Sequence, residues 1–171
     1  YVYSCKYVYN WQLYIFSNTG NRWSYTLYDI QNRATETGEV VLAGKTATQL
    51  RSEAGASRDY LPSGTRTALQ YCLYDSYTAS PTVTPHAFAA TPAYASAYHP
   101  LVTGCLTATK TRILGSDTWQ TTTLYYDDLG RVIQTVGDNR LGGLSRTDMQ
   151  YDFTGNLTHQ RESHGKPGGS A

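Results

Sequence analysis

Apolar and polar positions along this chain change over in short runs, and the runs break at Gly, Asn and Asp. The opening run, "YVYSCKYVYNWQLYIFSNTGNRWSYTLYD", alternates aromatic with polar residues and turns at "SNTGN". A second run, "YYDDLGRVIQTVG" from Tyr125, opens on an aromatic pair, turns through Asp-Asp-Leu-Gly and leaves on β-branched residues. "GDN" and "LGG" then mark another reversal, and Leu144 to Tyr151 reads as the next strand. Alternation of this kind, rich in Tyr and Thr, suits a pleated surface with one buried face. Helix-periodic stretches are scarce. "TATQLRSEAGASRDY" from Thr46 is the best helical candidate, and Gly55 interrupts it. The pattern predicts a mainly β chain.

The runs repeat. Tyr-Asp occurs at Tyr28-Asp29, Tyr74-Asp75, Tyr126-Asp127 and Tyr151-Asp152, where composition alone gives about one. "YDIQNRA", "YDDLGRV" and "YDFTGNL" share a register, with Asn32, Gly130 and Gly155 at the fifth place. Gly and Asn are the residues that most readily accept a positive φ. Asp followed three residues later by such a residue predicts a type I turn closed in the left-handed region, with the Asp side chain bonding its own turn. Tyr28, Asp29, Asn32, Tyr126, Asp127, Gly130, Arg131, Tyr151, Asp152 and Gly155 are therefore read as repeat-turn residues in strand–turn–strand units. The fourth unit, "YDSYTASP", has Thr78 where the turn Gly belongs and is expected to lead into an irregular segment.

That segment, residues 76–109, contains no Asp, Glu, Lys or Arg and holds Pro81, Pro85, Pro92 and Pro100. Proline at this density prevents a continuous helix or central strand. The content of Phe88, Tyr94, Tyr98, Val83 and Ala is too apolar for a solvated linker, so packing on the sheet or inside a shell is expected. The organisation read from the sequence is a first hairpin region, 1–75, the Pro/Ala-rich insertion, 76–109, a second hairpin region, 110–162, and a flexible tail, 163–171.

Composition narrows the classes. Lys and Arg number 14 against 13 Asp and Glu, a net charge of +1, with the basic residues scattered singly. Nucleic-acid binding needs clustered cations and is not expected. No apolar run is long enough for a transmembrane helix and no leader peptide is visible, so membrane insertion is not expected. The chain starts at Tyr1 and its one Met is Met149, which reads as an internal fragment or processed chain. Cys5, Cys72 and Cys105 are widely spaced and odd in number, which favours free thiols.

The units resemble the YD repeats of RHS proteins, most closely the divergent branch of Bacteroides-type bacteria. "GNRWSYTLYDIQNRATETGEV", "YCLYDSYTASP" with the insertion behind it, and above all "GCLTATKTRILGSDTWQTTTLYYDDLGRVIQTVGDNRLGG" carry the resemblance, which covers roughly Tyr1 to Glu162. Asn32 for Gly and the lost turn at Thr78 depart from it. The resemblance implies β-hairpins stacked in one curved antiparallel sheet, a segment of a shell that encloses or presents a cargo or toxin domain, in a secreted or surface protein of a bacterium. No counterpart of the family's cargo-releasing aspartyl-protease motifs and no toxin domain is found. The partners it implies are the remainder of the same polypeptide or another protein chain.

His86, His99, His159 and His164 have no partner motif. Asp127-Asp128 lacks the distal ligands of a calcium loop, and "SNTGN" and "LGGL" lack the Lys-Ser/Thr pair of a phosphate loop. "GCL" at Cys105 is not a nucleophile elbow. "NLT" at Asn156 matches a glycosylation sequon that a bacterial origin makes idle. Arg33 and Arg131 are expected to pair with a neighbouring Asp or cover rings rather than hold an anion. Catalytic residues, metals and cofactors are accordingly none. Two classes stay open: a non-enzymatic wall segment, and a binding module. In the second, Trp11, Trp23 and Trp119 would stack on glycan, or an open sheet edge would take a partner strand. The bland reading of the Trp residues is cross-strand packing.

Overall fold

The computed structural model describes residues 17–18, 21–56 and 63–167. Trp11, Cys5 and most of the aromatic opening run lie outside the described residues, as do the last four residues of the tail. Among the described residues the chain is mainly β with one helix, and it divides into two compact units, 1–71 and 72–171.

In the first unit, β1 (Ser17–Asn18), β2 (Arg22–Tyr28), β3 (Ala34–Val41) and β4 (Thr65–Tyr74) pair antiparallel in sequence order, the last three residues of β4 belonging to the second unit. Alternation along β2 buries Trp23, Tyr25 and Leu27, which pack with Val40, Leu42 and Leu50. Leu50 comes from α1 (Ala47–Ala56) and is fully buried. The helix begins where it does because Thr46 and Gln49 cap each other. Gln49 N donates to Thr46 Oγ1 at 3.3 Å, and Thr46 N donates to Gln49 Oε1 at 2.9 Å. Gly55 does not end it; the helix continues to Ala56. β3 comes so close to its neighbours at Gly38 that a Cβ would lie 2.4 Å from the Thr67 carbonyl oxygen and 2.7 Å from the Tyr25 hydroxyl. The Tyr25 ring takes that space and its hydroxyl donates to Glu36 at 2.6 Å. Burial and that bond push the Tyr25 phenol well up.

The second unit carries β5 (Leu106–Arg112), β6 (Trp119–Tyr126), β7 (Val132–Asp138), β8 (Leu144–Tyr151) and β9 (Leu157–His164), again antiparallel and in sequence order. Two boundaries differ from the sequence reading. β5 starts at Leu106, so the insertion closes at Cys105 rather than Thr109. β9 runs through His164, and Gly165 N donates to the Leu144 carbonyl at 2.7 Å, so the expected tail begins as ladder. Cys72 and Cys105 are free and half-buried. Among the described residues no helix is long and apolar enough to cross a membrane.

The Pro/Ala-rich insertion lies across one face of β6–β9 as a strap. That face presents Thr123 and Tyr125, then Gln134 and Val136, then Asp148 and Arg146, then Arg161 and Ser163, as the strand registers require. His86 N donates to Thr123 Oγ1 at 2.8 Å, over β6. One step on, over β7, Ala89 N donates to Gln134 Oε1 at 2.9 Å and Gln134 Nε2 donates to Ala89 O at 2.8 Å. Over β9, Arg161 stacks on Tyr94 with its guanidinium carbon 5.2 Å from the ring centre. A strap running across strands cannot extend their ladder, so side chains of the sheet meet its buried backbone groups, together with a backbone bond from His99 N to Tyr126 O at 2.8 Å. Aromatic packing supplies the apolar part. Tyr125 holds Tyr77, Phe88 and Tyr98 at centroid distances of 4.6, 5.1 and 4.8 Å. Its hydroxyl donates to His86 O at 2.6 Å, and burial pushes its phenol up to about 12.

Gln134→Ala should orphan both backbone groups of Ala89 and remove the amide donor to Asp148. The expected loss is roughly 2–4 kcal/mol, from about 1–3 kcal/mol per orphaned buried group. Limited proteolysis should then cut first between His86 and Ala97. An unchanged melting temperature and digestion pattern would show that the strap is held without Gln134.

Candidate functional site: the turn motif and the cleft beside it

The three Tyr-Asp turns have one geometry. Asp127 Oδ1 accepts from Leu129 N at 3.0 Å and Arg131 N at 2.8 Å, and Arg131 Nε donates to Oδ2 at 2.6 Å. Asp29 repeats this with Gln31 N and Arg33 N, both at 2.9 Å, and with Arg33 Nε at 2.7 Å. Asp152 does so with Thr154 N and Asn156 N, both at 2.9 Å, while Asn156 Nδ2 takes the place of the guanidinium at 3.1 Å. Each turn also has the backbone bonds of Asp N to the residue four on and of the positive-φ residue back to Asp O. Asn32, Gly130 and Gly155 hold φ of 63°, 76° and 91°. A ladder register shift falls just before each Tyr, so that Tyr28, Tyr126 and Tyr151 face Ala34, Val132 and Leu157.

Within the second compact unit two of these Tyr side chains tie a turn to the preceding hairpin. Tyr126 Oη donates to Leu106 O at 2.7 Å and Tyr151 Oη donates to Val132 O at 2.9 Å. Arg131 reaches from its own turn to the Asp152 carbonyl at 3.1 Å and lies 5.0 Å from the Tyr151 ring centre.

A fourth copy has Asp138 in the place of the Tyr and Asn139 in the place of the Asp. Asn139 Oδ1 accepts from Leu141 N at 3.0 Å and Gly143 N at 2.9 Å, with Gly142 at φ 77°. The sequence marks this reversal but not its kinship with the Tyr-Asp turns; the shared signal is Asp or Asn followed three places later by Gly or Asn. The Tyr74-Asp75 site is a different object. Asp75 itself takes a positive φ of 63°, and its Oδ1 accepts from Gly104 N at 2.6 Å, closing the strap where it returns to β5.

The carboxylates are tuned by these turns. Burial alone would raise Asp29 and Asp127, but bonds from the Arg backbone and guanidinium outweigh it and hold both below the usual range. Bonds from Thr154 and Asn156 take Asp152 down to about 2. Other polar groups are committed within the unit. Buried Asp148 accepts from Gln134 Nε2 at 2.7 Å and Arg161 at 2.7 Å, with Arg146 Nε 3.2 Å away. His86 Nε2 lies 3.2 Å from Thr121 O and 3.3 Å from Asp138 Oδ1. Among the described residues no group of three His, Cys, Asp or Glu side chains could hold a metal ion.

Of the aromatic platform candidates, Trp11 lies outside the described residues. Trp23 is 5% exposed inside the first core, so its ring faces are closed to a sugar. The cross-strand packing of β2 buries it. Trp119, at the start of β6, is half-buried with Lys110 Nζ 5.4 Å from its ring centre.

A cleft of about 420 Å³ opens where the strap, the Asp127 turn and the end of β8 meet. Pro92, Tyr94 and Ala95–Ala97 form one wall, Asp127, Asp128 and Arg131 another, and Ile133 and Met149–Tyr151 the floor. Asp127 and Arg131 neutralise each other there, the exposed Asp128 carboxylate has no ion pair among the described residues, and Arg161, over the Tyr94 wall, is held by Asp148.

No family model, no curated protein and no solved structure matches this chain.

Two outcomes test the turn. Asp127→Asn should keep both backbone bonds, as Asn139 does, and lose only the partly exposed ion pair, a change of about 0.5 kcal/mol. Asp127→Ala loses the side-chain oxygens altogether and should cost about 1–2 kcal/mol in thermal melts. Equal losses in the two variants would show that charge, not backbone bonding, holds the turn. Acid gives the second test. A depressed carboxylate stabilises the fold above its unfolded value, near 3.9, and loses that contribution as pH falls through its folded value. Stability should therefore decline from about pH 4 towards pH 2, the region set by Asp152, and Asp152→Asn should flatten that decline. An acid-unfolding profile identical to the wild type would remove Asp152 from the account.

Proposed function

We propose that this chain is a non-enzymatic structural segment of an RHS/YD-repeat protein. It forms part of a curved β-sheet shell that encloses or presents a cargo or toxin domain in secretion or at the bacterial surface. The observation that carries the reading is the recurrence of one bonded turn, with the same register shift before its Tyr, at Asp29, Asp127 and Asp152. A chain whose Asp residues close turns, and whose Tyr hydroxyls and Arg131 clamp the adjoining hairpin, is chemically suited to repetition rather than turnover. Repeats of this kind bury their faces against neighbours, so a wall segment draws part of its stability from hairpins beyond its own ends. The strap supports the same reading, since it fills one face of the hairpins with packed aromatic rings. The partner in this reading is the remainder of the same polypeptide.

Hydrogen exchange tests it. β9 pairs with β8 on one side and with no strand on the other among the described residues. In a wall, the next hairpin would pair with that outer edge. The amides of β9 that point away from β8 should exchange fast in this chain alone and slow at least tenfold in a longer natural polypeptide that continues beyond it. Exchange of β9 that is the same in both would count against a wall.

A further inference from the structure

We propose that the cleft beside the Asp127 turn, with its uncommitted Asp128 carboxylate, receives the Arg140–Leu141 turn tip of a second copy of this chain, so that copies associate head to tail. This goes beyond the wall reading and does not use it. In the order β6–β7–β8 the Asp127–Arg131 turn closes one end of the strands and the Asn139–Gly143 turn closes the other. The two turns are the same device, and their outer residues occupy the same slots with opposite charge. Asp128 and Arg140 are second in their turns, and Leu129 and Leu141 are third. Both charged side chains are exposed and make no hydrogen bond or ion pair among the described residues. Both leucines stand in solvent, at 68% and 75% exposure. Neither side chain of either pair is needed by its own turn, which is closed by Asp127 or Asn139.

The surroundings repeat the contrast. At the first end Asp127 pairs with Arg131 and Asp152 is bonded within its own turn, so Asp128 is left over there, and Phe153 is 97% exposed. At the other end, Arg112 pairs with Asp117, Asp138 meets His86, and Arg140 and exposed Lys166 are left over. An exposed leucine beside an uncommitted guanidinium is complementary to a cleft with an apolar floor, Ile133 and Met149, and an uncommitted carboxylate, Asp128. The fit pairs two different patches, so the contact is heterologous and a second copy still offers a free tip and a free cleft.

Sedimentation velocity and light scattering on the full chain test this. The wild type should show a mass that grows with concentration, does not stop at the dimer, and falls as salt rises. Arg140→Glu and Asp128→Arg should each weaken association at least tenfold, about 1.4 kcal/mol, with unchanged circular dichroism. An equimolar mixture of the two variants should associate again, because each restores the charge pair that the other lost. Edge-to-edge strand pairing would not respond to that swap. A wild type that is monomeric at every concentration, an Arg140→Glu chain that associates as the wild type does, or a mixture no better than its components would overturn the proposal. So would a neutral saccharide that binds a monomeric chain and is lost on Asp128→Arg.

Discussion

One carboxylate or amide oxygen accepting two backbone N–H groups is the interaction on which the rest depends. It lets the chain reverse in five residues, and it demands a residue that accepts positive φ at the fourth place of that turn. Because the turn is short, consecutive strands must pair with each other. The result is an antiparallel meander in each unit rather than a crossed topology. Asn139 shows that the charge is dispensable to this role, since its amide oxygen makes both backbone bonds that Asp127 makes. The acid is used for something further. At Asp29 and Asp127 the second oxygen holds an arginine, and Arg131 spends its remaining donors and its flat face on the next hairpin.

The strap raises a different physical problem. Thirty residues without a charged side chain must cover strands whose ladder they cannot extend, and every backbone group they bury needs a partner. The sheet supplies those partners from polar residues placed at core positions. Gln134, fully buried in β7, bonds Ala89 in both directions and passes its second amide hydrogen to Asp148. Asp148 in turn draws in Arg161, whose guanidinium stacks on Tyr94 of the strap. A buried carboxylate is costly unless paired, and here two arginines from β8 and β9 approach it. The packing of Tyr125 against three aromatic rings provides the apolar attraction; the polar chain gives the strap one register.

The same two features shape the cleft. The strap makes one wall, the Asp127 turn another, and the end of β8 the floor. Turn tips are where the motif leaves side chains free: at the Asp127 and Asn139 turns the third place gives only its backbone N–H, and the second gives no bond to the turn oxygen. Exposed Ile30, Leu129, Leu141 and Phe153 all stand at those places. Variation there changes the surface without disturbing the fold.

The local rules were legible in the residues themselves. Asp-x-x-Gly, the alternation of β2, the proline density of the insertion and the absence of clustered charge each act over a few residues, so sequence alone determined a mainly β chain with short reversals at Asp29, Asp127 and Asp152. The helix at Thr46 was legible for the same reason, although its cap at Gln49 and its passage through Gly55 were not. What sequence could not determine depends on residues far apart in the chain. Trp23 reads equally as a platform or a core residue, and only the packing of β2 against Val40 and Leu50 decided that it is buried. Gln134 and Asp148 look like solvent-facing strand positions, and become interior only because a strap whose Ala89 stands 45 residues before Gln134 lies across them. The opposition of Asp128 and Arg140 at two ends is likewise tertiary: the letters give two similar turns, and the antiparallel order of β6, β7 and β8 puts a strand's length between them.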